Sequence, residues 1–189
     1  YHMSFECVDI SDTGGSGGVE PLILETDGDS VFDAVRSTLR ESGKKLYFNH
    51  CKIVILSNEL AKQGIKPILD WFLRDAEPRV TLKFLVSKDA DAGEILRVKP
   101  QSGQITAFQI SNTLAENTSF YGTSPTMQLY EVNNTLNTDG IALTLPAVEI
   151  KKAESAESVQ LSGLAIFKGD RQIGWGIGRR RPGFGNSPK

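Results

Sequence analysis

The chain has 189 residues, 39% of them hydrophobic and 23% charged, with a formal net charge of −2. That length suits one large domain or two small ones around a sizeable core, and the composition is that of an ordinary soluble globular protein. The charge gives no general attraction to nucleic acid or an anionic membrane, and no apolar run approaches the ~20 residues that span a bilayer.

Residues 3–10 (MSFECVDI) set Met3, Phe5 and Cys7 against polar neighbours, the alternation of a half-buried strand. The opening lacks a basic lead-in and an apolar region, so no signal peptide is expected within the chain. Residues 11–21 are turn-rich. Their GGSGG lacks the Lys and Ser/Thr of a phosphate loop, which predicts a mobile hairpin connection. PLILETDG then returns as a second strand. Ser30 and Asp33 resemble a capping box for a helix through Ser42. Val31, Val35 and Leu39 share one face of that helix, with Phe32 beside them, and Gly43 ends it.

His50 to Ile95 reads as one structural unit. Residues 51–57 (CKIVILS) have the apolar, β-branched character of a strand buried on both faces. Asn58 is expected to cap a short helix that Gly64 ends. Pro67 opens a second helix burying Ile68, Leu69, Phe72 and Leu73. Pro78 stops that helix, and residues 80–86 (VTLKFLV) return as a strand. Strand, helical crossover and strand predict a parallel, right-handed βαβ unit.

Residues 104–116 predict a helix carrying Ile105, Phe108, Ile110 and Leu114, and SFYGTSP a loop. Pro125 is expected to open another helix with Met127, Tyr130 and Leu136, ended by Asp139-Gly140. Residues 141–151 read as a strand interrupted by Pro146, which favours an edge or a bend. KAESAES is a hairpin loop, residues 159–168 alternate as a strand, and Gly169-Asp170 turns the chain into RQIGWGIG. The fold class is α/β with α+β mixing. A mixed β-sheet with packed helices is assigned to residues 1–112. A smaller helix-plus-β-hairpin region follows over 113–177, then a flexible basic tail over 178–189.

No catalytic or metal set assembles from the motifs. HxxxH, HExxH, CxxC and GxSxG are absent, so His50 is assigned a structural or hydrogen-bonding role. Cys7 and Cys51 do not make a disulfide framework and read as buried free thiols. Residues 89–94 resemble the start of a calcium loop, but the glycine is misplaced and no Glu closes it. A capped helix start explains them better. No cofactor is expected. Arg74, Asp75, Glu77 and Arg79 form a charged cluster at a helix-to-strand junction. It either fixes the local backbone through bidentate Arg–carboxylate pairs or presents a patch to another protein. Under the first role, reversing Arg74 to Glu should disturb folding.

Two separated blocks carry a family resemblance. The first comprises His50 to Leu56, Glu59-Leu60-Ala61, Gly64-Ile65, Leu69-Asp70-Trp71-Phe72, Arg74 to Arg79, and Ala92 to Leu96. The second is LSGLAIFKGDRQIGWG, residues 161–176. Together they resemble the Ger(x)C family of spore germination proteins, the C subunits of nutrient-germinant receptors, over roughly residues 25–176. The basic stretch 178–189 departs from that pattern. The resemblance implies a non-enzymatic lipoprotein subunit needed for nutrient-triggered germination. It would assemble with integral membrane subunits of the A and B type, with no nucleic acid partner. A lipid anchor upstream of this chain would hold it at the outer face of the spore inner membrane, so neither cysteine here is the lipidation site. No catalytic residue carries over. The alternative is a small-molecule binding protein that itself holds the nutrient in a pocket near Trp71 or Trp175. An enzyme whose site the motifs do not reveal is a third reading.

Overall fold

In the computed structural model, residues 1–8, 21–43, 45–100, 105–117, 126–153 and 156–177 are described. The GGSGG connection, SFYGTSP with Pro125, and the basic tail lie outside them.

Strand β1 (His2–Val8) pairs antiparallel with β2 (Pro21–Asp27), from His2 opposite Asp27 to Val8 opposite Pro21. Helix α1 (Val31–Ser42) follows. Ser30 caps it by accepting the Asp33 N–H at 3.1 Å, and Gly43 closes it in the left-handed region at φ 67°. Its buried side is Val31, Ala34, Ser37 and Thr38. The expected apolar stripe is therefore rotated: Leu39 and Phe32 face solvent, at 50% and 54% exposure. The Thr26 hydroxyl donates to the Ala34 carbonyl at 3.2 Å, which seats α1 on β2 by that small-residue side.

After a 3-10 turn at Phe48–His50 comes β3 (Ile53–Leu56), then α2 (Asn58–Gln63), α3 (Lys66–Arg74) and β4 (Lys83–Ser87). The predicted parallel crossover is present: β3 and β4 pair parallel, with Ile53 opposite Lys83 and Leu56 opposite Val86. Two details differ. Ser57, rather than Asn58, caps α2 by accepting the Leu60 N–H at 3.2 Å. Leu73 is exposed, while Ile68, Leu69 and Phe72 bury as expected.

Helices α4 (Ala92–Arg97), α5 (Thr106–Glu116) and α6 (Leu129–Leu136) lead to β5 (Thr144–Lys152), β6 (Glu157–Lys168) and β7 (Arg171–Gly176). Asp91 caps α4 by accepting the Gly93 N–H at 2.8 Å. In α6 it is Leu129 and Val132 that bury, and Tyr130 is exposed. The five strands form one sheet in the order β3-β4-β5-β6-β7. β5 therefore lies inside the sheet, parallel to β4 and antiparallel to β6, rather than at an edge. The register shifts between Pro146 and Val148, so the missing proline N–H falls at an irregularity instead of interrupting a regular ladder.

Both faces of this sheet are covered, as parallel strands require. On one, Phe84, Val86, Leu145, Ala165 and Phe167 meet residues of α2, α3 and α6. On the other, Ile53, Leu85 and Val148 meet Ile95 of α4 and Ile110 and Leu114 of α5. Residues Gly64–Lys66 between α2 and α3 dock on the β6–β7 turn. The Ile65 N–H donates to the Asp170 carbonyl at 3.0 Å and the Lys66 N–H to the Asp170 carboxylate at 3.4 Å.

Candidate functional site

Helix α3 presents two faces with different fates. Ile68, Leu69 and Phe72 enter the core. Pro67, Asp70, Trp71 and Arg74, spaced by three and four residues, line its flank. That flank forms one wall of an open cleft of about 390 Å³. The opposite wall is the start of α1, with the cap residue Ser30, then Val31 and Phe32; Tyr1 and Asp75 complete the rim.

Trp71 is fixed by a chain of edge-to-face rings. Phe5 lies 6.0 Å from Phe48, Phe48 5.2 Å from Trp71, Trp71 4.7 Å from Phe72, and Phe72 5.8 Å from Phe84. Each such pair contributes about 0.5–1.5 kcal/mol beyond its buried area. The indole is half-buried, with one side in this chain and the other available to the cleft. On the far wall, the Arg36 guanidinium stacks over exposed Phe32 at 4.7 Å.

The charged cluster divides between two tasks. Arg74 pairs with Asp70 at 2.8 Å, one helical turn back, with side-chain exposures of 79% and 59%. Such exposed pairs hold little of a fold together, so this position gives no support to the expectation that reversing Arg74 disturbs folding. The Asp75 carboxylate accepts the Glu77 N–H at 2.9 Å and sets the turn after α3. Glu77 reaches back to Lys45 at 2.8 Å and accepts the Phe48 N–H at 3.3 Å. The Lys45 bond, then the Phe48 amide, hold its carboxyl below the usual range, and the same bond raises Lys45. The Arg79 carbonyl accepts the Leu82 N–H at 3.0 Å, and among the described residues its side chain makes no ion pair. Arg74 and Asp75 thus belong to the cleft, and Glu77 and Arg79 to the turn behind it.

Of the two tryptophans, Trp71 lines the cleft, while Trp175 packs on the main core from β7. His50, assigned a structural or hydrogen-bonding role, is exposed in the 3-10 turn, and its side chain makes no hydrogen bond among the described residues. Cys7 and Cys51 are free and half-buried. Burial pushes both thiols up, Cys51 to about 11, away from nucleophilic character. Among the described residues, no three His, Cys, Asp or Glu side chains gather as a metal site requires, and no helix is long and apolar enough to cross a membrane. Motif reading missed Ser30, Phe32, Pro67 and Asp70 as parts of one site. The stripe 67, 70, 71 and 74 was visible on α3, whereas its partner wall lies more than thirty residues upstream.

The family model described as "Spore germination protein N-terminal domain" matches residues 1–150. Spore germination protein KC of Bacillus subtilis (strain 168) is 27% identical over 169 residues, covering 82% of this chain and 42% of the relative. From the same strain, "Putative spore germination protein YfkR" is 28% identical over 173 residues, covering 84% and 42%. The chain therefore spans less than half the length of the relatives it matches. No solved structure matches it.

Proposed function

The chain belongs to the spore germination protein N-terminal domain family, and on that premise we propose that it is part of a germinant-receptor subunit acting in nutrient-triggered spore germination. The subunit is a lipoprotein of the C type. It is held at the outer face of the spore inner membrane by an anchor outside this chain and assembles with integral membrane A and B subunits. The observation that carries the reading is the family match across 1–150, joined by the downstream block at 161–176. The reading is non-enzymatic: burial raises both thiols, and His50 stands exposed with no side-chain hydrogen bond or ion pair among the described residues. Work of this kind needs contact surface, and several large apolar side chains are available for it. Phe32, Leu73, Val80 and Ile173 are exposed at 54%, 43%, 57% and 65%.

Dipicolinate release from spores with and without the gene, across a panel of nutrients, tests the proposal. A lost response to some nutrients, with a normal response to a non-nutrient trigger, is the expected result. A normal response to every nutrient, persisting after related genes are deleted together, would overturn it.

A further inference from the structure

We propose that Cys7 and Cys51 are the two halves of an intrachain disulfide, formed on contact with a small disulfide oxidant, that fastens the β1–β2 hairpin to the turn leading into β3. Both thiols are free and half-buried. Met3, Phe5 and Cys7 share one face of β1, because side chains alternate along a strand. Met3 packs on the main core, as Cys51 does, and the Phe5 ring lies 6.0 Å from that of Phe48. The Cys51 N–H donates to the Phe48 carbonyl at 3.0 Å, a 3-10 turn that stacks residue 51 over residue 48. Two residues of strand advance about 6.6 Å and three of a 3-10 turn about 6 Å, so the step from Phe5 to Cys7 matches the turn from Phe48 to Cys51. The sulfurs place this second pair at the same end: burial raises the Cys51 thiol, and Cys7 close by raises it further.

Cys7 is the entry thiol. It stands beside exposed Val8 at the end of β1, whereas Cys51 lies against the core with its Sγ donating to the Ile53 carbonyl at 3.5 Å. The Cys7 thiolate attacks one sulfur of the oxidant RSSR; that S–S bond breaks, and one RS− leaves and takes up a proton. The Cys51 thiolate then attacks the Cys7 sulfur of the mixed disulfide and expels the second RS−. Two protein thiols lose two electrons and two protons, and the oxidant gains both as two RSH. Burial, then the Glu6 carboxylate, raises Cys7 as well, so little thiolate is present at neutral pH and closure is slow there. The bond closes a loop holding β2 and α1. Among the described residues the hairpin shares no strand pairing with the five-stranded sheet, so the bond adds a covalent tie where the ladder supplies none. Its use by the subunit rests on the outer-face placement proposed above, where thiols are not kept reduced; its formation does not.

The test exposes the reduced chain to excess oxidised glutathione at mildly alkaline pH. The expected product is a monomer lighter by two hydrogens, with no thiol left for Ellman's reagent after unfolding and a proteolytic fragment pair joining Cys7 to Cys51. Closure should quicken about tenfold per pH unit above neutrality, following the thiolate fraction. Tm should rise by roughly 5–15 °C, as a bond closing a loop of this size gives in a chain of this length, and dithiothreitol should reverse the rise. Cys51→Ala should stop at the glutathione adduct on Cys7 and show no such rise; Cys7→Ser, which lacks the entry thiol, is the parallel variant should the first fail to fold. A glutathione adduct that persists on the unsubstituted chain, a disulfide-linked dimer in place of the closed monomer, or closure without a gain in Tm overturns the proposal. The germination assay fails or succeeds independently: lost nutrient response without closure spares the receptor reading, and closure with unaffected germination spares the disulfide.

Discussion

Replacing Glu6 by Ala probes a joint that no local sequence pattern announces. From β1, the Glu6 carboxylate accepts the N–H groups of Thr106 at 2.9 Å and Ala107 at 2.8 Å, capping α5 across 100 residues of sequence. The residue in the cap position of α5, Ile105, supplies no side-chain bond of its own. Each such bond contributes about 0.5–1.5 kcal/mol net, more to a charged acceptor, and removing a helix cap costs about 0.5–2 kcal/mol. Burial opposes this. It is the largest influence on the group and raises its pKa, against the lowering effect of the Ala107 and Thr106 bonds. With that offset and partial solvent screening, Glu6→Ala is expected to cost about 1–2 kcal/mol, or about 2–8 °C in Tm for a chain this long. A raised folded pKa means that the stability Glu6 contributes is full below its unfolded value and declines as pH rises through the folded one. Relative to Glu6→Gln, the wild-type advantage should therefore be widest near pH 4 and narrow toward pH 7, read by urea unfolding at both. A gap that widens with pH would show that the amide bonds outweigh burial. An unchanged Tm in Glu6→Ala would refute the cap itself.

Phe84 is fully buried in β4 against Phe72, so Phe84→Ala should cost about 3–5 kcal/mol. A Tm within a degree or two of wild type would contradict the assigned core. Glu77, held below the ordinary value of 4.5 chiefly by Lys45, contributes stability that is present above that value and lost as pH falls through the folded one. The gap between wild type and Glu77→Gln should accordingly close on acidification below pH 4.5, and a gap constant down to pH 3 would argue against the Lys45 and Phe48 bonds. In a Cys7→Ser background, Cys51 should react with Ellman's reagent far more slowly when folded than when unfolded. A pKa of about 11 against 9.0 leaves about 100-fold less thiolate at neutral pH, so equal rates would show the thiol to be exposed.

The fold was most legible where a pattern is closed within a few residues. Ser30, Asp33 and Gly43 framed α1, Asp91 capped α4, and the apolar runs before and after α2–α3 announced a parallel pair. Legibility failed where burial depends on a distant neighbour. Four-residue spacing made Val31, Val35 and Leu39 a plausible stripe, yet the helix lies on β2 by Ala34, Ser37 and Thr38, where Thr26 can reach the Ala34 carbonyl. Of the edge or bend expected at Pro146, the register shift there fits the bend, and the strand lies inside the sheet. At the candidate site, Trp71, Arg74 and Asp75 could each be singled out from sequence. That Phe32 and Ser30 face them is a consequence of how α1 and α3 pack.

The two sequence blocks that carry the family resemblance are one place in the molecule. Gly64-Ile65 in the first and Gly169-Asp170 in the second lie over a hundred residues apart, yet the Ile65 and Lys66 amides both bond to Asp170. Gly64 has φ 129°, a conformation that side chains rarely adopt, and a Cβ there would meet the Asp170 carboxylate at 2.7 Å. A larger residue would strain the backbone there and displace the Asp170 carboxylate from the Lys66 N–H at the α2–α3 junction. That junction sets where α3 begins, with Pro67 in its first turn, and hence where the stripe of Pro67, Asp70, Trp71 and Arg74 lies around the helix. The downstream block thus meets the start of α3 without lining the cleft. It bonds to the residues that open α3 from the β6–β7 turn at the edge of the sheet.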